Sequence, residues 1–167
     1  MLGQAAAVTV SRFGFAVSGW STTARSIPGV TCYAGAGQFR DFLSRCDILV
    51  CLLPLTNATR GILDRRLFAM LPRGAGLVNA GRGGHLVQDD LLAALASGQI
   101  GAAVLDVAEP EPLPTAHPLW SHPQVLLTPH IASMTQPETA VDAVLENIRR
   151  HRARLPLAGL VDRARGY

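Results

Sequence analysis

Three stretches of this sequence end in groups that could act together on one small molecule. The run "GLVNA" leads into "GRGGHLVQDDLLAAL" and puts Arg82 just beyond an apolar segment. "AAVLDV" ends on Asp106 with Glu109 and Glu111 close behind, and "VLLT" leads to Pro129 and His130. An Arg guanidinium holds a carboxylate through two parallel N–H bonds. A His beside a carboxylate has its imidazolium form favoured and can pass a proton to a carbonyl oxygen near neutral pH. Reduction of an α-keto acid needs both groups, with a hydride donor next to them.

These groups converge only if the runs that carry them are neighbouring strands pointing the same way. Strand-like runs occur at Phe15–Trp20, Asp47–Leu52, Gly76–Asn79, Ala102–Val107 and Val125–Leu127. Several are continuously apolar, as in a sheet covered on both faces. Helix-like segments lie at Leu2–Ser11, Gln38–Arg45, Asp64–Leu71 and Gln88–Ser97, with Asp64 as a cap and Gly98 as a stop. Strand and helix alternate, which predicts a parallel α/β sheet whose ligands sit at the carboxyl ends of the strands. The stretches "GVTCYAGAG", "LPLTNATRG" and "EPEPLPTAHP" carry the Gly and Pro of connecting loops. An amphipathic pattern from Pro137 to about Leu155 (Ala140, Val141, Val144, Leu145, Ile148) predicts a last helix, followed by an irregular tail, "GLVDRARGY".

Composition excludes several function classes. With 49% hydrophobic and 16% charged residues in 167, the chain is a compact globular protein. All fifteen basic residues are Arg, and six fall in the last nineteen positions. Residues 1–148 hold nine Arg against eleven Asp and Glu, a net of −2, so no nucleic-acid partner is expected. No apolar run reaches a membrane span and no export leader is visible, which predicts a cytoplasmic protein without a membrane partner. Cys32, Cys46 and Cys51 lack metal spacing and read as buried thiols. His85, His117, His122 and His151 read as surface or structural residues, none paired at zinc spacing, and Trp120 as a packing residue.

The stretches "LVNAGRGGHLVQDDLLAAL", "AAVLDVAEPEPLP", "HPLW" and "LLTPHIASMT", in that order, resemble the signature segments of the D-isomer-specific 2-hydroxyacid dehydrogenases. With "GWS", "PGV" and "VDRARGY" the likeness is greatest to the bacterial glyoxylate/hydroxypyruvate reductase A group. The resemblance implies a Rossmann-like, doubly wound parallel sheet and reduction of a small 2-keto acid by hydride transfer from a nicotinamide cofactor. It implies Arg82 as the carboxylate-binding Arg, Glu111 rather than Glu109 as the acid that orients the catalytic His, and His130 as the proton donor. Glu111 and His130 lie 29 and 48 residues beyond Arg82, which fits that layout. Asp106 matches the position that contacts the nicotinamide carboxamide. Leu53, Pro54 and Thr59 match the loop along the cofactor, and Asn79 and Gly81 the strand end beneath the nicotinamide. After Trp20 the chain offers Ser21, Thr22, Thr23 and Arg25 and no acid, which favours NADP over NAD, with Arg25 serving where relatives carry an Arg directly after the Ser. The family also implies a homodimer formed through the cofactor domain.

In the same comparison "MLG" matches only the end of the family's glycine-rich phosphate fingerprint, with Gly3 as its third glycine. The expectation is an incomplete dinucleotide-binding domain over residues 1–135. The helix and tail at 136–167 would pack on a substrate lobe that, like the first strand, would precede Met1. Such a chain would reduce glyoxylate weakly or not at all. The alternative is a non-catalytic dinucleotide-binding or dimerisation module, or the remnant of a broken gene. Sequencing the DNA upstream of the Met1 codon separates a miscalled internal start from a remnant: the first expects an open frame encoding a strand and two more glycines, and an immediate in-frame stop would overturn it and leave the chain a fragment.

Overall fold

The computed structural model describes residues 2–133 and 137–161, which divide into two compact units at His130/Ile131. The first unit runs α1 (Leu2–Ser11), β1 (Ser18–Ser21), β2 (Thr31–Ala34), α2 (Phe39–Leu43), β3 (Ile48–Cys51), α3 (Arg65–Phe68), β4 (Ala75–Asn79), α4 (Gln88–Ala96), β5 (Ile100–Leu105) and β6 (Val125–Leu127). Every strand pairing is parallel. Among the described residues the strands form a β1–β2 pair and a four-stranded sheet in the order β3-β4-β5-β6. The α/β class predicted from the alternation is therefore present, with the strands in two sheets. The pair is held to the rest through α2, where Trp20 packs on Phe39 at 4.7 Å between ring centres and Tyr33 on Phe42 at 5.8 Å.

Several boundaries differ from expectation for local reasons. The Phe15–Trp20 run becomes strand only at Ser18, since Phe13 and Phe15 are exposed and carry no ladder. β2 lies inside the stretch read as the loop "GVTCYAGAG"; its only sequence signal is Thr31 and Tyr33 in alternation, too short to register as a periodic run. The segment at Gln38–Arg45 is a 3-10 turn at Ala36–Gln38 followed by a short α2. Asp64 caps α3 as predicted, its Oδ1 accepting from the amides of Arg66 (3.0 Å) and Leu67 (2.8 Å).

The core lies between the sheet and α2, α3 and α4. Leu49 and Cys51 of β3, Leu77 of β4 and Leu105 of β5 share one buried cluster with Leu43, Phe68, Leu91 and Leu95. The opposite sheet face departs from the expectation of cover on both sides, because Ile48, Val50 and Leu126 are 60%, 50% and 58% exposed. Helix α1 forms where predicted yet has no buried residue. Cys46 and Cys51 are buried, and burial pushes both thiols up, with Asp47 adding to the effect at Cys46. Cys32 is only half-buried, and Trp120 is half-exposed with its indole N–H donating to Pro114 O, a turn contact in place of the expected packing.

In the second unit α5 (Pro137–Arg152) ends three residues earlier than the pattern suggests. Val141, Val144, Leu145 and Ile148 are exposed along it, and the Asn147 side chain pins the returning chain through Ala158 N (2.8 Å) and O (3.1 Å). Arg163 and Arg165 of the tail lie outside the described residues. No described helix is long and apolar enough to cross a membrane.

Two joints tie the loops of the first unit together. The buried Asp90 carboxylate accepts from Arg65 N and Nε, both at 2.9 Å, and joins the start of α4 to the start of α3. Gly83 sits where a Cβ would lie 1.9 Å from Ala108 O and 2.7 Å from Glu109 N, so only a residue without a side chain lets these two loops touch. Each joint makes a prediction. The Arg65 side chain, followed by its backbone N–H, holds the Asp90 carboxyl below the ordinary Asp range. The stability this adds is complete above the unfolded value of about pH 4 and is lost as pH falls through the lower folded value. The urea midpoint of the protein should exceed that of Asp90→Asn at neutral pH, with the gap closing below about pH 4; a gap independent of pH would contradict the assignment. Gly83→Ala should lower stability by about 1–3 kcal/mol or more in the same assay, since backbone must move to admit the methyl group.

Candidate active site

Parallel pairing brings the strand ends into one line. Cys51 is in register with Asn79, Asn79 with Leu105, and Leu105 with Leu127, so the last residues of four strands form a single row. The first amides past the row continue the ladder: Ala80 N donates to Cys51 O, Asp106 N to Asn79 O and Thr128 N to Leu105 O. Everything that follows these residues leaves from the same edge of the sheet. Leu53, Arg82, Asp106 and His130 are therefore neighbours through strand order, although they are far apart in sequence.

The turn bearing Arg82 is built by two fully buried polar side chains, Asn79 and His85. Asn79 Oδ1 accepts from Gly81 N and its Nδ2 donates to Arg82 O, both at 3.2 Å. His85 Nδ1 lies 3.0 Å from Arg82 N and from Arg82 O. Nδ1 holds both peptide groups of Arg82, the amide as an acceptor in one tautomer and the carbonyl as a donor in the other, while Nε2 is buried without a hydrogen-bond partner among the described residues. A Cβ on Gly81 would meet His85 Nδ1 at 2.9 Å and Leu53 O at 3.2 Å. The backbone on both sides of Arg82 is thus fixed from inside, while its guanidinium is exposed, with Nη1 donating to Gly81 O at 2.7 Å. Asn79 stands at the end of β4, where the resemblance puts the strand end beneath a nicotinamide, and its side chain holds this turn. His85, read as surface or structural, is fully buried, and the signal for it was its place three residues after Arg82, where a ring folds back on the turn's first N–H.

On the next two strand ends, Glu111 and His130 meet. His130 Nδ1 lies 3.0 and 3.2 Å from the two Glu111 carboxylate oxygens, and both side chains are slightly less than half exposed. His130 has φ +56, the left-handed region. A side chain there costs on the order of 1 kcal/mol, and such strain collects at functional positions. Glu109, the rival acid, pairs with Arg60, whose Nη1 lies 3.0 Å from each of its oxygens. Asp106 is buried and accepts from Thr128 Oγ1 at 2.5 Å, which joins the ends of β5 and β6. Thr128 and Arg60 had no signal in the sequence, because both act through partners more than twenty positions away.

The remaining candidate residues occupy two places. In the loop after β3, Thr59 Oγ1 donates to Pro54 O (2.7 Å) and accepts from Thr56 N (2.8 Å), closing the turn beyond the half-buried Leu53. At the end of β1, Ser21 Oγ donates to Thr23 O at 2.7 Å, and Thr22 and Arg25 are exposed. Gly3 lies in the first turn of α1 with open space where a Cβ would be. Among the described residues no group of His, Cys, Asp and Glu is arranged to hold a metal ion.

The chain resembles known proteins in sequence and in fold. Residues 1–132 match the family model for the D-isomer specific 2-hydroxyacid dehydrogenase NAD binding domain. The whole chain is 47% identical to glyoxylate/hydroxypyruvate reductase A of Yersinia enterocolitica (serotype O:8 / biotype 1B, strain NCTC 13174 / 8081), of which it covers 53%. Its fold superposes on a D-isomer specific 2-hydroxyacid dehydrogenase from Xanthobacter autotrophicus Py2 solved with NADPH and MES, with a TM-score of 0.96 and 47% identity over 99% of this chain and 69% of that one. The match to an NADPH-dependent glyoxylate/hydroxypyruvate reductase from Sinorhizobium meliloti in complex with NADP and sulfate has a TM-score of 0.95 and 44% identity over 99% of this chain and 54% of that one. The chain spans about half the length of the curated relatives it matches. It belongs to the D-isomer specific 2-hydroxyacid dehydrogenase family and carries that family's NAD binding domain.

Proposed function

We propose that this chain is the dinucleotide-binding and proton-donating portion of an NADPH-dependent reductase that converts glyoxylate or hydroxypyruvate to the corresponding 2-hydroxy acid. The observation that carries this reading is the Glu111–His130 contact of 3.0 Å, on the strand-end row that also bears Arg82. Arg82 binds the substrate carboxylate with a guanidinium whose backbone is held by Asn79 and His85. Glu111 takes His130 Nδ1, which leaves Nε2 as the nitrogen that hands a proton to the keto oxygen. The reduced nicotinamide, when bound, supplies the hydride to the keto carbon.

The residues after β1 fit a dinucleotide that carries a 2′-phosphate. Ser21, Thr22, Thr23 and Arg25 present hydroxyls and a guanidinium, and there is no Asp or Glu from Ser18 to Gln38 to repel the phosphate. Gly3, Leu53, Pro54, Thr59, Gly81 and Asp106 would line the rest of the cofactor's path. Pairing of two copies through this portion belongs to the same reading and rests on the family resemblance.

Fluorescence titration of the 167-residue chain with NADPH and with NADH tests it. NADPH should bind more tightly, and Arg25→Ala should weaken NADPH by about tenfold or more, as loss of one charged hydrogen bond does, while leaving NADH unchanged. Equal losses for both cofactors, or no binding of either, would overturn the cofactor assignment.

A further inference from the structure

The Arg60–Glu109 contact has no part in the chemistry just described, yet it sits where three loops of the site meet. Arg60 belongs to the loop after β3 that carries Thr59, and Glu109 belongs to the segment that carries Glu111. Between them lies Gly84 of the Arg82 turn, where a Cβ would come 2.5 Å from Glu109 Oε2 and 2.8 Å from Arg60 Nη1. The turn is tied to the first loop by Gly61 N donating to Gly84 O at 2.8 Å. It is tied to the second by the close approach of Gly83 to Ala108 O and Glu109 N. Gln88 Nε2 also donates to Glu109 O at 2.8 Å, so both the backbone and the side chain of Glu109 are held.

Among the described residues the Glu111 carboxylate meets only His130, the group it would orient. Glu111 is exposed, flanked by Pro110 and Pro112, and lies between Glu109 and the buried Leu113. The prolines limit how the segment can bend, so the place of Glu111 follows from where the two ends are pinned. One end is pinned by burial of Leu113, and the other by Arg60, Gln88 and Gly83.

We propose that Glu109, gripped by Arg60, is the positioning residue that keeps the Glu111 carboxylate on His130. The proposal rests on the reading of Glu111 and His130 as an oriented acid–imidazole pair. It makes Glu109, discarded as the orienting acid, a contributor to that orientation at one remove. The alternative is a solvated surface pair, since Arg60 and Glu109 are 57% and 50% exposed and exposed pairs contribute little to stability.

The imidazole tautomer separates the two. With the rings neutral, Glu111 accepting from His130 Nδ1 selects the Nδ1–H form, whereas an unconstrained His130 would populate the Nε2–H form more. Both are read from imidazole nitrogen shifts in long-range proton–nitrogen spectra of the labelled full chain. Glu111→Ala should move His130 toward the Nε2–H form. Arg60→Ala and Glu109→Ala should each move the ratio the same way by about twofold or more, as members of one network do, and the charge swap Arg60→Glu with Glu109→Arg should restore it. Where a variant also disturbs the His85 and His117 rings, Gly84→Ala loads the same joint by another route and should reproduce the shift. If Glu111→Ala moves the ratio while the Arg60, Glu109 and Gly84 variants leave it at the wild-type value, Glu109 is a surface charge and the proposal is wrong. If Glu111→Ala itself has no effect, the acid–imidazole reading fails first and takes the proposal with it.

Discussion

The site depends on one constraint: the turn after β4 must pass close enough to the segment after β5 that no side chain fits between them. Gly83 and Gly84 meet that requirement, and the cost of their freedom in the unfolded chain is offset by fixing the turn from within. Asn79 and His85 do this with hydrogen bonds to the peptide groups around Arg82, both side chains fully buried. Buried polar groups that hold peptide groups in this way specify a single backbone path, whereas apolar side chains in the same places would tolerate several. The exposed guanidinium of Arg82 inherits its direction from residues that never meet solvent.

The parallel sheet gives the same edge its width. Because Cys51, Asn79, Leu105 and Leu127 are in register, each loop begins at the same height, and short side-chain contacts suffice to join them: Asp106 with Thr128, Glu111 with His130, Arg60 with Glu109. The opposite sheet face is less well served. Ile48, Val50 and Leu126 lie open on it, and a parallel sheet is normally covered on both faces. The structural investment in this chain is concentrated on the helix-covered face and the strand-end edge.

Much of this was legible in the sequence, and the reasons it was or was not are physical. Apolar runs marked β3 to β6, although only alternate residues of β3 are buried and Leu126 of β6 lies open, and the Arg, acid and His at their ends could be placed on one edge from strand direction alone. β2 was missed because Thr31–Ala34 is brief and interrupted by a half-buried Cys, so its identity depends on pairing with β1. The choice between Glu109 and Glu111 could not be made from spacing, because it depends on Arg60, a residue 49 positions from Glu109. Asn79 was assigned by position to the cofactor, while its side chain serves the fold; a strand-end residue can have its backbone beside a ligand and its side chain committed elsewhere. His85 and Thr128 carried no periodic or compositional signal because each acts through a single partner.

The left-handed backbone at His130 has a consequence for how this position can change over generations. Single-base changes to a His codon lead to Gln, Arg, Leu, Pro, Tyr, Asn or Asp. Only Asn and Asp among these accept φ +56 readily, and Pro, fixed near −65°, cannot adopt it at all. Loss of the imidazole by most routes therefore disturbs the peptide path, and selection acting on folding alone would resist those changes. A lineage held by folding alone would keep His, Asn, Asp or Gly here long after neighbouring surface positions had drifted.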